Sequence, residues 1–300
     1  MPAKREIKNL AASVKERLLK IAREGNGDYQ SIFKQYVHER LLYRISLSQY
    51  ANSFVLKGAL LFLAFDISRL RPTKDIDLMG KDTPNDIESI KKIFGEVAQI
   101  NCEDGLTFDT ENISAERIIE DGNYKGIRIR FTVRLGKATD GVQIDIGFGD
   151  VIHKGPIKIE YPTLLDFTAP SILAYSIESA IAEKFQAIVS LGMATSRMKD
   201  FYDILFFAQK NKFDSVDLLE AINLTFNNRN TAVDLRNLVF ADNFKKDLQK
   251  QIQWQAFLKK KKLEADENFE MVVTKLENFI EPLFDSLENK RWNSTKWSWE

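Results

Sequence analysis

Cysteine is almost missing from this chain of 300 residues: Cys102 stands alone. An intrachain disulfide is therefore excluded. Histidine is nearly as scarce, with His38 and His153 only, so a structural zinc site of the Cys/His type lacks its ligands. Net charge is also lacking, since 43 Lys and Arg balance 43 Asp and Glu. That excludes a globally basic nucleic-acid coat and leaves any such contact to a local patch. Long apolar runs are missing too. The most apolar stretch, FVLKGALLFLAF (54–65), is twelve residues long and carries Lys57, too short to span a bilayer. The N-terminal MPAKREIKNLAASVKERLLKIAREG is amphipathic and charged, unlike a signal peptide. A cytoplasmic protein is expected. We find no internal repeat and no low-complexity linker.

What is present suits a folded soluble protein, with 44% hydrophobic and 29% charged residues. The length fits one large domain or two smaller ones. Residues 4 to about 65 read as helical. Leu10, Val14, Leu18 and Ile21 recur at helical spacing before Gly25 and Gly27, and YQSIFKQYVHERLLYRIS follows as a second helix. Residues 1–24 hold seven Lys/Arg against three Asp/Glu, which fits a solvated helix face or an RNA- or partner-facing one.

From 66 to 160 the pattern changes to period two, the mark of strands with one buried face. KDIDLM alternates. GIRIRFTVRLG (126–136) puts Ile127, Ile129, Phe131, Val133 and Leu135 on one face and Arg128, Arg130, Thr132 and Arg134 on the other. GVQIDIGFGD (141–150) repeats the alternation. GKATDG (136–141) has loop composition, so these last two strands are predicted to pair antiparallel. Between the first and second strands, 83–99 reads as a helix with Pro84 near its start. From about 165 the chain reads as helical again, with a loop inside LEAINLTFNNRN (219–230). All four tryptophans fall after residue 250, most of them in the tail RWNSTKWSWE, which either docks or frays.

RLRPTKDIDLMG (69–80) poses the chemical question. With Ile76 and Leu78 directed to the core, Asp75 and Asp77 share the opposite strand face. They repel unless a cation lies between them. Mg²⁺ takes hard oxygen ligands, typically one or two carboxylates plus substrate phosphates. Asp-x-Asp on a strand is also compatible with simple solvation, so context decides. Asp145 is the sole acid on the polar face of 141–150. If that strand neighbours the first, three carboxylates converge, a set able to hold two Mg²⁺ ions for phosphoryl transfer. Upstream, Gly58 opens an apolar helix, where backbone N–H groups can approach a phosphate, and its neighbours Lys57 and Ala59 join it as candidate nucleotide contacts. Pro72 marks the start of the strand. Thr73 offers a hydroxyl to phosphate, or simply favours a strand. Arg69, Arg71 and Lys74 are candidates for steering RNA or triphosphate.

SIESAIAEKFQAIVSLG (176–192) reads as a helix with Ser176 as N-cap and Gly192 beyond its end. Lys184 falls on its apolar stripe, where it either snorkels or faces a buried anion such as a triphosphate. SRMKDFYDILFFA (196–208) follows, and its Asp200 and Asp203 need partners on so apolar a helix. Lys184, Arg197 and Lys199 are the candidates, and a purely structural Lys184–Asp200 pair stays open.

The blocks FVLKGALL, RPTKDIDLMG, QIDIGFGD and SIESAIAEKFQAIVSLGMATSRMKDFYDI, in that order, resemble the AbiEii/AbiGii toxin family, nucleotidyltransferases of type IV toxin–antitoxin, abortive-infection systems. The likeness covers roughly residues 10 to 210. It implies an α+β chain with a DNA polymerase β-like nucleotidyltransferase fold, a small mixed or antiparallel sheet flanked by helices. We expect a nucleotidyltransferase domain over 1–160 and a helical domain over 161–300. By the same likeness Gly58 and Ala59 fill the position that opens the first motif, where Ala59 replaces a Gly or Ser. Asp75 and Asp77 are the implied Mg²⁺ ligands, with Asp145 as the third carboxylate. Thr73 stands where relatives carry a small hydroxyl residue. Lys184 is the implied triphosphate contact, and Asp200, with Asp203 as second choice, the final acidic motif. Lys199 is a further nucleotide-binding candidate. The implied reaction is Mg²⁺-dependent transfer of a nucleotide from an NTP to RNA, most simply a tRNA 3′ end, which blocks translation. The implied partner is a winged-helix antitoxin of the AbiEi type encoded alongside, without a stable complex. Two other readings stay open: a GTP-binding toxin that modifies a protein, and a non-enzymatic interaction protein on a degenerate fold.

Overall fold

The computed structural model describes residues 9–25, 27–65, 73–120, 124–261, 263, 267–285 and 289–300. Arg69, Arg71 and Pro72 lie outside the described residues. The chain divides into two compact units: residues 1–149 with 157–174, and residues 150–156 with 175–300. The expected boundary at 160 falls inside the 157–174 segment, which belongs to the first unit.

The first unit opens with helices α1 (Leu10–Glu24) and α2 (Tyr29–Leu47). Strand β1 (Phe54–Lys57), the short helix α3 (Leu61–Ala64), strand β2 (Ile76–Gly80) and helix α4 (Ile87–Ala98) follow. Then come β3 (Leu106–Phe108), β4 (Ser114–Glu120), β5 (Tyr124–Leu135), β6 (Ala138–Phe148), β7 (Ile157–Glu160) and β8 (Ser171–Ala174). All eight strands form one sheet in the order β3-β5-β6-β2-β1-β8-β7, with β4 also paired to β5. The sheet is mixed: β2 runs parallel to β6 and β1 parallel to β8, while the other pairs are antiparallel.

Period two is obeyed where it was read. Ile127, Ile129, Phe131, Val133 and Leu135 of β5 are buried, as are Val142, Ile144 and Ile146 of β6 and Ile76 and Leu78 of β2. Four readings need correction. Residues 4–65 are not helical throughout, because Phe54–Lys57 is a strand buried along its whole length. The β5–β6 loop is not 136–141: Leu135 pairs with Ala138, so Gly136 and Lys137 alone make the turn, with Gly136 at φ +59°. The loop expected within 219–230 is confined to Arg229 and Asn230, because Leu218, Ala221, Ile222, Thr225 and Phe226 keep one helical face buried up to Asn228. The chain after 165 is not purely helical, since Ser171–Ala174 pairs with β1 and β7. Strands β3 and β4 were not foreseen.

Helix α2 carries a buried ionic cluster. Arg44 forks onto Asp104 at 2.6 and 3.0 Å, and Arg40 Nε adds a third bond at 3.2 Å. Burial pushes the Asp104 carboxyl upward, but Arg44 and the Leu106 N–H more than offset it and hold its pKa below the usual value. Glu39 accepts from the Leu164 N–H at 2.7 Å. Burial pushes its pKa up to about 7, against the lowering by that bond and by Arg40.

The second unit is mainly helical: α5 (Ile177–Leu191), α6 (Met198–Lys210), α7 (Ser215–Asn228), α8 (Arg236–Phe240), α9 (Asp242–Lys245), α10 (Leu248–Lys261) and α11 (Phe269–Ile280). Ser176 caps α5 by accepting from the Ser179 N–H, as the sequence predicts. The tail docks. Trp292–Asn293 (β9) and Ser298–Trp299 (β10) form a hairpin. Trp292, Trp297 and Trp299 donate to the carbonyls of Ala208, Lys275 and Phe279, so large apolar rings are buried without stranding their N–H groups.

Candidate functional site

The sheet register aligns a row of charged residues across five strands of the first unit. Lys57 on β1 lies opposite Asp77 on β2, Asp77 beside Asp145 on β6, Asp145 opposite Arg128 on β5, and Arg128 opposite Glu116 on β4. Period two puts them all on the face away from Ile76, Ile144 and Ile127. The condition for converging carboxylates is thus met, since β2 and β6 are direct neighbours. Asp75 precedes β2, and its neighbour Thr73 accepts a long bond from the Asp75 N–H at 3.5 Å.

Gly58 follows β1 with φ +70°, a left-handed conformation that L side chains rarely adopt. A Cβ added there would lie 2.0 Å from Asp77 Oδ2. The backbone of the β1–α3 turn therefore sits directly on the Asp77 carboxylate, a close approach open only to glycine. Ala59 and Lys57 on either side are buried. Asp75 and Asp77 supply the hard oxygen donors that Mg²⁺ prefers, and the absence of a side chain on Gly58 lets the turn backbone come close to Asp77. These residues fit a metal-bound triphosphate.

Asp145 is differently engaged. Arg128 binds it through two bonds, Nε–Oδ1 at 2.7 Å and Nη2–Oδ2 at 2.6 Å. That bidentate fork occupies both oxygens. The bond to Asp145, with the nearby Asp75 charge, raises the Arg128 pKa, so the guanidinium stays protonated. Arg128 thus competes with a metal for the Asp145 oxygens, each of which keeps a second lone pair.

Beside Asp75 opens a cleft of about 470 Å³, lined among others by Lys34, Lys74, Asn112, Arg130 and Gln143. The buried His38 hydrogen-bonds the backbone of Lys74. Burial and the Lys34 charge push its pKa down to about 3, so the ring is neutral. Sequence reading overlooked both His38 and Arg128. Arg128 was recoverable: a two-residue turn at Gly136–Lys137 places it directly across from Asp145. His38 gave no signal, because nothing in a helical stretch shows which loop it will meet.

Lys184, Lys199, Asp200 and Asp203 belong to the second unit. Lys184 on α5 donates to Asp200 Oδ1 at 3.2 Å and to Asp203 Oδ2 at 2.7 Å, both on α6 and both fully buried. Arg197 also binds Asp200. Burial pushes Asp200 upward, but Lys184 and Arg197 hold its pKa below the ordinary value. The structural pairing of Lys184 is therefore made, and Asp203 shares it. Lys199 is exposed. Arg229, also overlooked, ties Asp150, Glu183 and Gln186 together at 2.8, 2.9 and 3.0 Å.

Residues 40–281 match the family described as nucleotidyl transferase AbiEii toxin, type IV TA system. The fold is similar to the crystal structure of JHP933 from Helicobacter pylori, with TM-score 0.52 and 15% identity over 87% of this chain and 94% of that one. A second structure, of an H. pylori protein described as a candidate nucleotidyltransferase, aligns with TM-score 0.47 and 16% identity over 85% and 96% of the two chains. No curated protein matches the sequence.

Proposed function

The chain belongs to the AbiEii nucleotidyltransferase family of type IV toxin–antitoxin systems, and from that premise we propose that it transfers an NMP from an NTP to an RNA acceptor, a tRNA 3′ end, to halt translation. The observation that supports this reading is the close approach of the Gly58 backbone to the Asp77 carboxylate, two residues from Asp75. Asp75 and Asp77 would hold Mg²⁺, which would supply positive charge to offset the negative charge developing on the leaving group. The Gly58–Ala59 backbone and Lys57 orient the triphosphate. The acceptor hydroxyl oxygen bonds to the α-phosphorus, the bridge to the β-phosphate breaks, and pyrophosphate departs with the electron pair. The hydroxyl proton passes to a carboxylate or to solvent.

Lys74 and Arg130, in the cleft beside Asp75, meet the phosphates of the acceptor strand. Lys184 is the triphosphate contact that the family likeness implies, and within the second unit Asp200 and Asp203 keep its ammonium in place. The family implies an antitoxin partner encoded alongside, and the reaction belongs in the cytoplasm. No described helix is long and apolar enough to cross a membrane.

The deciding experiment incubates the protein with each labelled NTP, Mg²⁺ and total tRNA. Label on tRNA, lost when Asp77 is changed to Asn, is the expected outcome. Label on protein and never on RNA would replace the tRNA reading with protein modification. Growth arrest that survives Asp77→Ala would point instead to a non-enzymatic toxin.

A further inference from the structure

The second unit holds a cluster of potential metal ligands that the transfer reaction does not use. His153, in the segment 150–156, points Nε2 at two acids of α7: Asp217 Oδ1 at 3.5 Å and Glu220 Oε2 at 3.8 Å. All three donor atoms lie within 4.8 Å of one another. The His153 side chain is only 11% exposed. Its Nε2 is buried and makes no hydrogen bond among the described residues. Its nearest partners are those two carboxylates, both farther than a hydrogen bond of ordinary length.

We propose that His153, Asp217 and Glu220 form a binding site for a divalent transition metal of the zinc class, independent of the Mg²⁺ that serves nucleotide transfer. The geometry supports this directly. Ligands about 2.1 Å from a tetrahedral Zn²⁺ lie about 3.4 Å from each other, close to the two nitrogen–oxygen separations here. Ordinary hydrogen bonds would be shorter, near 2.9 Å. One imidazole and two carboxylates suit Zn²⁺ and leave the fourth position to water. Mg²⁺, which favours an all-oxygen octahedron, is poorly served.

Local structure supplies the rest. Asp217 and Glu220 are three apart on α7 and so share a face. The His153 N–H donates to Ser179 Oγ at 3.2 Å, which fixes the segment against α5. Lys154 now places its ammonium 2.5 Å from Asp217 Oδ1, so a cation already sits beside this group. Its side chain is 66% exposed and can swing into solvent when a metal takes its place. The bound metal would clip the segment 150–156 to α7.

Calorimetric titration of the full chain with Zn²⁺, in excess Mg²⁺ and on an Asp75→Asn/Asp77→Asn background, tests the site without interference from the other acids. One equivalent is expected to bind at micromolar or tighter affinity. His153→Ala and Glu220→Gln should each weaken binding at least tenfold, and Lys154→Ala should tighten it. Titration with Co²⁺ should give the visible spectrum of a four-coordinate ion, lost in His153→Ala. Glu220 is on the surface, so its variant remains informative if His153→Ala fails to fold. Zn²⁺ binding that both variants leave unchanged, or no binding below millimolar Zn²⁺, would overturn the proposal.

Discussion

At the scale of single residues, the row Lys57–Asp77–Asp145–Arg128–Glu116 distributes roles among acids that look alike in sequence. Asp77 lies under the Gly58 turn, whereas Asp145 is held by Arg128. Asp77→Asn should therefore lower transfer by about 10²-fold or more, the scale of losing a group that acts on transition-state charge. Asp145→Asn should cost less than about tenfold. Equal losses in labelled-NTP assays would show that Asp145 acts at the metal despite its pairing with Arg128. Glu39 gives a prediction about pH. Its folded pKa, about 7, lies above its ordinary 4.5. The unfolded state therefore ionises first, and as pH rises from about 4.5 to about 7 this group subtracts stability, with the loss complete above 7. Glu39→Gln keeps an acceptor for the Leu164 N–H. It should raise unfolding free energy at pH 8 by about 1–3 kcal/mol and change little at pH 4. Urea denaturation at both pH values checks the sign. Asp77 and Asp145 were legible because period two fixes a strand face. Arg128 was legible only with the turn placed correctly, and His38 and Arg229 not at all, because their partners come from distant parts of the chain.

Among the elements, α5 and α6 depend on Lys184. It supplies charge to two acids that are themselves fully buried. Removing it leaves buried carboxylates without that ammonium, at a cost of about 3–5 kcal/mol. A loss of activity in Lys184→Met thus cannot by itself assign a role to the lysine. Adding Asp203→Asn should recover much of the melting temperature. If Lys184 contacts triphosphate, transfer stays absent in the double variant while Asp203→Asn alone retains some. Recovery of transfer with stability would reduce Lys184 to a structural residue. Helices α2, α5 and α6 were legible from periodicity and caps. The four-residue strands β1, β7 and β8 were not, since each is too short to show a period and forms only where a neighbour offers backbone partners. The apolar run that begins at Phe54 carries the same hydrophobic signal whether it forms a helix or a buried strand.

For the molecule as a whole, the chain passes between its units at 149–150, 156–157 and 174–175. A cut at 160 leaves β1 without β8, its parallel neighbour. A fragment of residues 1–160 should therefore be poorly folded or aggregated by circular dichroism and light scattering, with the edge of β1 open to other chains. Composition does mark these crossings, since 150–174 holds three of the chain's seven prolines. The late return of β8 also bears on synthesis. Domains form as the chain leaves the ribosome, earlier parts first. Strand β1, which leads into Gly58, pairs with β2 as soon as residue 80 is out, but its other neighbour arrives only with residues 171–174. The nascent chain cannot complete this sheet until residues 171–174 have emerged. A ribosome making this toxin is therefore spared an assembled catalytic sheet through the first part of the message.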